Sequence, residues 1–168
     1  KEILLPHKYS TLGPCIAIGD ANGDGVDDFY LGGAKGQAGK LVFQQAAGFV
    51  DSEQKVIEGD KGMEDLGAKF FDADSDGDLD LYVANYRTVT VRDDPKAKYS
   101  LREENGRQLI VAYNGRSTEE PDLVGRFTMT PMGPRENGEV DALYLNDGKG
   151  VFTEVPWTRG AFLNTAGR

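Results

Sequence analysis

The 168-residue sequence has one cysteine, Cys15, one histidine, His7, and one tryptophan, Trp157. A single cysteine excludes an internal disulfide, and a lone histidine leaves a His-based catalytic or zinc site without partners. No apolar run is long enough to span a bilayer, and no stretch has the makeup of a signal peptide. No nucleophile elbow, phosphate-binding glycine loop or Cys/His cluster occurs. No long amphipathic helix pattern occurs either, which argues against a helical fold. Positive charge is also in deficit: 19 Lys and Arg stand against 28 Asp and Glu, for a net charge of −9. The chain therefore has no basic face for nucleic acid and no segment for membrane insertion.

What the chain has in excess is aspartate, and it is concentrated. Asp20-Ala-Asn-Gly-Asp-Gly-Val-Asp-Asp28 and Asp72-Ala-Asp-Ser-Asp-Gly-Asp-Leu-Asp80 hold nine aspartates and no basic residue. Elsewhere acidic and basic residues balance. Adjacent carboxylates repel by about 1 kcal/mol in bulk water and roughly 4 kcal/mol at a protein-surface dielectric. Such crowding calls for a counter-charge. Both nonapeptides fit D-x-[DN]-x-D-G-x-x-D, with first residues 52 positions apart. Similar apolar runs flank them: "CIAIG" and "DFYLGG" around the first, "AKFF" and "LDLYVA" around the second. A period near 50 residues reads as repeat architecture.

The spacing suits a hard cation. Ca²⁺ takes six to eight oxygens, and a tight loop can supply them from alternate positions. Positions 1, 3 and 5 are Asp20, Asn22 and Asp24 in the first loop, and Asp72, Asp74 and Asp76 in the second. Position 7 offers a backbone carbonyl, from Val26 and Asp78, which leaves the Asp78 side chain free to face solvent. Position 9 closes the sites with Asp28 and Asp80. Gly25 and Gly77 stand at position 6, where the chain turns sharply and a Cβ is expected to clash. Two Ca²⁺ sites are therefore expected, with Mg²⁺ disfavoured because it keeps its waters. Solvated Asp/Gly turns share this composition, but recurrence at matching positions favours metal. An EF-hand is excluded, because position 12 is Leu31 or Val83 where that loop needs Glu, and the flanks have strand character.

On these residues, "IAIGDANGDGVDDFYLGGA" resembles an FG-GAP/VCBS repeat, the calcium-bearing blade also found in integrin alpha-chain propellers. "DALYLNDGKGVFTEV" (141–155) resembles the half-blade of bacterial proteins related to the ASPIC/UnbV group and cartilage acidic protein. Its counterpart, "GKLVFQQAAGFVDS" (39–52), is weaker. The resemblance implies an all-β fold: a partial β-propeller of about two four-stranded antiparallel blades plus edge strands, with no enzyme activity inherent in the repeat. The expected organisation is a lead-in at 1–12, one blade and linker at 13–65, a second blade at 66–155 interrupted by an insertion at 87–140, and a lead-in to another blade at 156–168. Strands are expected near 14–19, 28–33, 40–45 and 48–52, then near 67–71, 80–85, 141–146 and 150–155.

A propeller needs four to eight blades, so the missing blades, from the same or a partner chain, are the first expected partners. Strand-like runs "QLIVAY" (108–113) and "GRFTMT" (125–130) mark the insertion as a long β-excursion, a place for a protein or glycan ligand. Cys15 is expected to be a buried small hydrophobe, with Trp157, Phe152 and Tyr144 in the inter-blade core. Extracellular calcium modules bind at 10⁻⁴–10⁻³ M, which favours a secreted, cell-surface or periplasmic setting. The favoured function is a non-catalytic calcium-binding segment serving binding, adhesion or assembly. The alternative is a propeller supporting a hydrolase or lyase site on the inserted face.

Overall fold

The computed structural model describes residues 14–86 and 90–155. The lead-ins expected at 1–12 and 156–168, with His7 and Trp157, lie outside the described residues. In chain order the elements are β1 (Ile16–Gly19), β2 (Asp28–Leu31), β3 (Lys40–Gln45), β4 (Gly48–Ser52), α1 (Lys55–Gly59), β5 (Glu64–Phe71) and β6 (Asp80–Tyr86). They continue with β7 (Tyr99–Glu104), β8 (Arg107–Tyr113), β9 (Arg116–Ser117), β10 (Phe127–Thr130), β11 (Gly133–Glu136), β12 (Ala142–Asn146) and β13 (Phe152–Val155). The fold is all-β with antiparallel pairing throughout. The chain divides into two compact units, one ending at Tyr86 and resuming at Val140, the other comprising Arg87–Glu139.

The first unit contains two four-stranded sheets of matching connectivity. The first runs β1-β2-β3-β4, and the second runs β5-β6-β12-β13 from one edge to the other. Alternation sets which side chains each sheet buries, because successive residues of a strand point to opposite faces. Ala17, Tyr30 and Leu41 are opposite one another across β1, β2 and β3, and all are buried. On the second sheet Phe70, Leu81 and Tyr144 do the same across β5, β6 and β12. These two rows, with Val83, Ala142 and Phe152, form one core that also takes in Ile57 of α1. Tyr144 and Phe152 thus sit in the core between the sheets. Burying each large side chain of this kind contributes about 1.5–3 kcal/mol.

Glycine permits the close approach. A Cβ on Gly19 would lie 2.9 Å from Leu79 and 3.3 Å from Phe70, and one on Gly39 would lie 1.9 Å from the Tyr30 hydroxyl. That hydroxyl donates to Asp65 at 2.7 Å, and the Gly33 N–H donates to the same carboxylate oxygen at 2.6 Å. A buried carboxylate is thereby satisfied where the Leu31-Gly-Gly-Ala34 segment meets β5. Cys15 is half-buried against the core rather than fully inside it, and burial with the nearby Asp65 charge pushes its thiol up. β1 starts at Ile16, two residues later than expected, because Pro14 has no N–H for the ladder.

The second unit has a three-stranded sheet, β7-β8-β9, and a two-stranded one, β10-β11. Asn105 and Gly106 close the β7–β8 hairpin with φ of 50° and 73°, the left-handed pair that a two-residue turn requires. Tyr99, Tyr113 and Phe127 cluster with ring centroids 4.8–5.6 Å apart. The Arg126 guanidinium lies 5.5 Å from the Tyr113 ring centre and pairs with Glu136 at 2.7 Å. Among the described residues, no helix is long and apolar enough to cross a membrane.

Candidate metal centre

The two aspartate loops occupy the same place in the two sheets: 20–28 joins β1 to β2, and 72–80 joins β5 to β6. Each is wound around its own carboxylates. Asp20 accepts the Asp24 N–H at 3.0 Å and the Gly25 N–H at 2.8 Å; Asn22 accepts from Asp24 and Asp24 from Val26, both at 2.9 Å. In the second loop Asp72 accepts from Ser75 at 2.7 Å and from Gly77 at 3.2 Å, and Asp76 accepts from Asp78 at 3.2 Å. Backbone N–H dipoles offset part of the like-charge repulsion.

Position 9 is the point of closest correspondence. Asp28 and Asp80 are each 1% exposed. Asp28 accepts the Ala21 N–H at 3.0 Å and the Gln44 N–H at 2.8 Å. Asp80 accepts the Ala73 N–H at 2.7 Å and the Asn146 N–H at 2.9 Å. Each aspartate ties position 2 of its loop to the third strand of its sheet. Position 9 is a structural anchor whatever else it binds.

The loops differ in the carboxylates they gather, because position 3 is Asp74 in one and the amide Asn22 in the other. Carboxylate oxygens of Asp72, Asp74 and Asp80 lie within 4.8 Å of one another. Asp76 stays outside that group. Among the described residues the carboxylates of Asp20, Asp24 and Asp28 form no such group, and Val26 is a 39% exposed side chain at the loop rim. Gly25 and Gly77 adopt φ of 86° and 99°. A Cβ at either would meet open space, so the expected clash is corrected: glycine serves the left-handed backbone. The same conformation recurs at position 4, where Gly23 has φ of 75° and Ser75 has φ of 69°.

Asp78 also departs from expectation. Its side chain packs against the turn after β12, where a Cβ on Gly148 would lie 3.1 Å from its Oδ2. Its Oδ1 is buried with no hydrogen-bond partner. Burial, with the charges of Asp76, Asp80 and Asp74, pushes this carboxyl up to about 6. Burial and the charges of Asp76 and Asp80 likewise raise Asp74. The gathered oxygens of Asp72, Asp74 and Asp80 are the hard donors that a divalent cation takes, while the unpaired Asp78 Oδ1 lies outside that group.

Asn146 joins the two loops. Its amide donates to the Ala21 carbonyl of the first loop at 2.8 Å and to the Leu79 carbonyl of the second at 3.0 Å. Its own Oδ1 accepts from Asp147 at 2.9 Å and from Gly150 at 3.0 Å. Gly150 has room for no side chain, since a Cβ would lie 2.5 Å from Phe43 and 3.2 Å from Asn22. The "LYLNDGKGVF" run carried this signal, but its asparagine was legible only as a turn residue.

A second set of carboxylates lies where the excursion joins β6 and β12. Asp141 accepts from the Tyr82 hydroxyl and the Asn85 N–H, while Asp60 accepts from Asn85 and Tyr144 at 3.1 and 3.2 Å. Burial raises Asp60 despite those two donors. No protein-family model, curated protein or solved structure matches the chain.

Proposed function

We infer that the chain is a calcium-binding segment of a β-propeller built from FG-GAP/VCBS-like repeats, serving binding, adhesion or assembly outside the cytosol. The observation that carries this reading is the paired loops: one nonapeptide pattern, the same hairpin position in two sheets, and the same anchoring of Asp28 and Asp80. In the second loop Asp72, Asp74 and Asp80, with Asp76 and the Asp78 carbonyl, would hold Ca²⁺; in the first, Asp20, Asn22, Asp24, Asp28 and the Val26 carbonyl. The ion would supply the counter-charge that the backbone N–H groups meet only in part. A weak extracellular-type site, Kd about 10⁻⁴–10⁻³ M, would be filled outside the cell and empty in a cytosol.

The sheet faces support further blades as partners. By ladder register, Ile16, Ile18, Phe29 and Phe49 of the first sheet correspond to Ala68, Phe70, Leu81 and Phe152 of the second. In the second sheet that face packs against the first; Phe70 and Phe152 are 8% and 3% exposed. In the first sheet the corresponding Ile18 and Phe49 are 67% and 64% exposed. A face whose counterpart is core is suited to another sheet of the same kind. The hydrolase or lyase alternative is less well supported, because Asp60 and Asp141 are engaged by tyrosine hydroxyls and Asn85.

Calorimetric titration with CaCl₂ tests the reading. Binding that is lost at one site in Asp74→Asn and at the other in Asp24→Asn is the expected result. No heat and no thermal shift at millimolar Ca²⁺ would sink it.

A further inference from the structure

We propose that the excursion binds an extended peptide by strand addition, in a cleft between the free edges of β8 and β10. The cleft has a volume of about 810 Å³ and lies wholly within the second unit. Its walls are Gln108 to Val111 of β8, Phe127 to Thr130 of β10 with the following Pro131, and Ser117 to Glu119 at the end of β9. These are consecutive residues on both sides. A strand that offers a face contributes every second residue; one that offers an edge contributes all of them.

The ladders show which backbone groups the edges present. The two-residue turn at Asn105 and Gly106 makes Glu104 and Arg107 a hydrogen-bonded pair, so Gln108 and Ile110 turn their backbone groups away from β7. The Ile110 carbonyl is taken by the Thr118 hydroxyl at 3.0 Å, which confirms its outward direction. β9 covers Ala112 and Tyr113, and just beyond it the Thr118 N–H donates to the Val111 carbonyl at 3.1 Å. The N–H and C=O of Gln108 and the N–H of Ile110 therefore remain toward the cleft. Across it, Met129 stands opposite Pro134, which has no N–H, so that pair is not hydrogen-bonded. Met129 and, two residues away, Phe127 accordingly turn their backbone groups from β11 toward β8.

Two open edges facing one space are the arrangement that a further strand satisfies, with main-chain hydrogen bonds on both sides. The cleft closes where Tyr113 meets Phe127 at 4.8 Å and where Arg126 is fixed by Glu136. From there its lining runs to Arg107 on β8 and to Pro131 after β10. Of the charged lining residues Arg102 is paired with Glu104 at 3.2 Å, which leaves Arg107 at the rim of the cleft to favour a peptide with an acidic residue there. The inference rests on reading the excursion as the recognition element, and it does not depend on calcium.

The test is selection of a displayed library of random linear peptides on the whole chain, followed by titration of the synthetic peptides. Met129→Pro and Gln108→Pro each remove an edge donor without removing a ladder bond. Each is expected to weaken the selected peptides about tenfold or more, the loss of one or two hydrogen bonds. N-methylation of alternate peptide amides should do the same to unaltered protein, which guards against a variant that misfolds. Peptides indifferent to these changes, or no selected peptide, would overturn the proposal. So would proline-sensitive self-association of the chain, which would make a second copy the occupant. Retained calcium binding alongside any of these failures would leave the metal reading standing and remove only this one.

Discussion

Loops 20–28 and 72–80 share a pattern, a hairpin position and an anchor, yet one gathers three carboxylates and the other does not. The difference lies at position 3 of the loops and also beside them. Asp80 is held by the N–H of Asn146, whose side chain also fixes the Leu79 carbonyl, while the corresponding Asp28 takes the N–H of Gln44 alone on that side. The second loop carries aspartate at position 3 where the first has Asn22. What this teaches is that the motif encodes two layers. Position 9 anchors the hairpin to the third strand, and the oxygens at positions 1 and 5 wind the loop around its own backbone N–H groups.

The most direct way to break that comparison is at the shared anchor. Asp28→Ala and Asp80→Ala each strand two backbone N–H donors, at about 1–3 kcal/mol per buried donor. Each variant should lose about 3 kcal/mol in chemical denaturation with EDTA present, before any ion is involved, because one hydrogen bond of each pair is buried and the other part-buried. If one proved neutral, the two aspartates would not share a structural role.

Ion withdrawal comes next. Mass action gives about 2.7 kcal/mol per site at 100 times Kd. Adding calcium should therefore raise Tm clearly, and excess chelator should reverse the gain. The 72–80 site should be the tighter of the two, with four carboxylates against three. Calorimetry of Asp24→Ala and Asp76→Ala, each leaving the other loop intact, reads the ranking. A tighter 20–28 site would show that preassembly of Asp72, Asp74 and Asp80 is a cost rather than an aid.

Much of this frame could be read directly from the chain, for physical reasons that differ by element. β3 and β4 have their expected bounds because alternation and the Gly48 turn agree. β5 begins three residues earlier than expected, since Glu64 and Asp65 look like linker until Asp65 meets the Tyr30 hydroxyl. The one-turn helix α1 is too short to show a period. β8 and β10 announced themselves by apolar content, but β7, "YSLREE", is exposed along most of its length and has no buried face to pattern. At the site, oxygen spacing was legible. The convergence of Asn146, Gly148 and Gly150 on the loops was not, because it joins residues far apart in the chain, Asn146 reaching Leu79 across 67 positions and Ala21 across 125.

Asn146→Ala should sharpen the comparison at about 2 kcal/mol, from the Ala21 and Leu79 carbonyls left without their donor and the Gly150 N–H left without its acceptor. Both loops should respond, since the amide reaches Ala21 and Leu79. An effect on calcium binding at 72–80 alone would mean that the first loop is shaped by its own turns.

The smallest effect separates the loops at position 4. Ser75 sits at φ of 69° and Gly23 at 75°, a region that costs a side chain roughly 1–2 kcal/mol. Ser75→Gly relieves that strain but adds backbone freedom to the unfolded chain, worth about 0.4–1 kcal/mol. The two nearly cancel, and a gain of under about 1 kcal/mol is expected. Gly23→Ser is not its mirror image. It incurs the left-handed strain and also drives a Cβ to 2.9 Å from the Gly148 carbonyl oxygen, backbone that cannot swing aside like a side chain. Its loss should exceed the gain at Ser75, and denaturation of the two variants and the double swap measures the asymmetry. Equal and opposite effects would mean that the Gly148 turn yields freely, and that the β12–β13 turn does not hold the first loop in place.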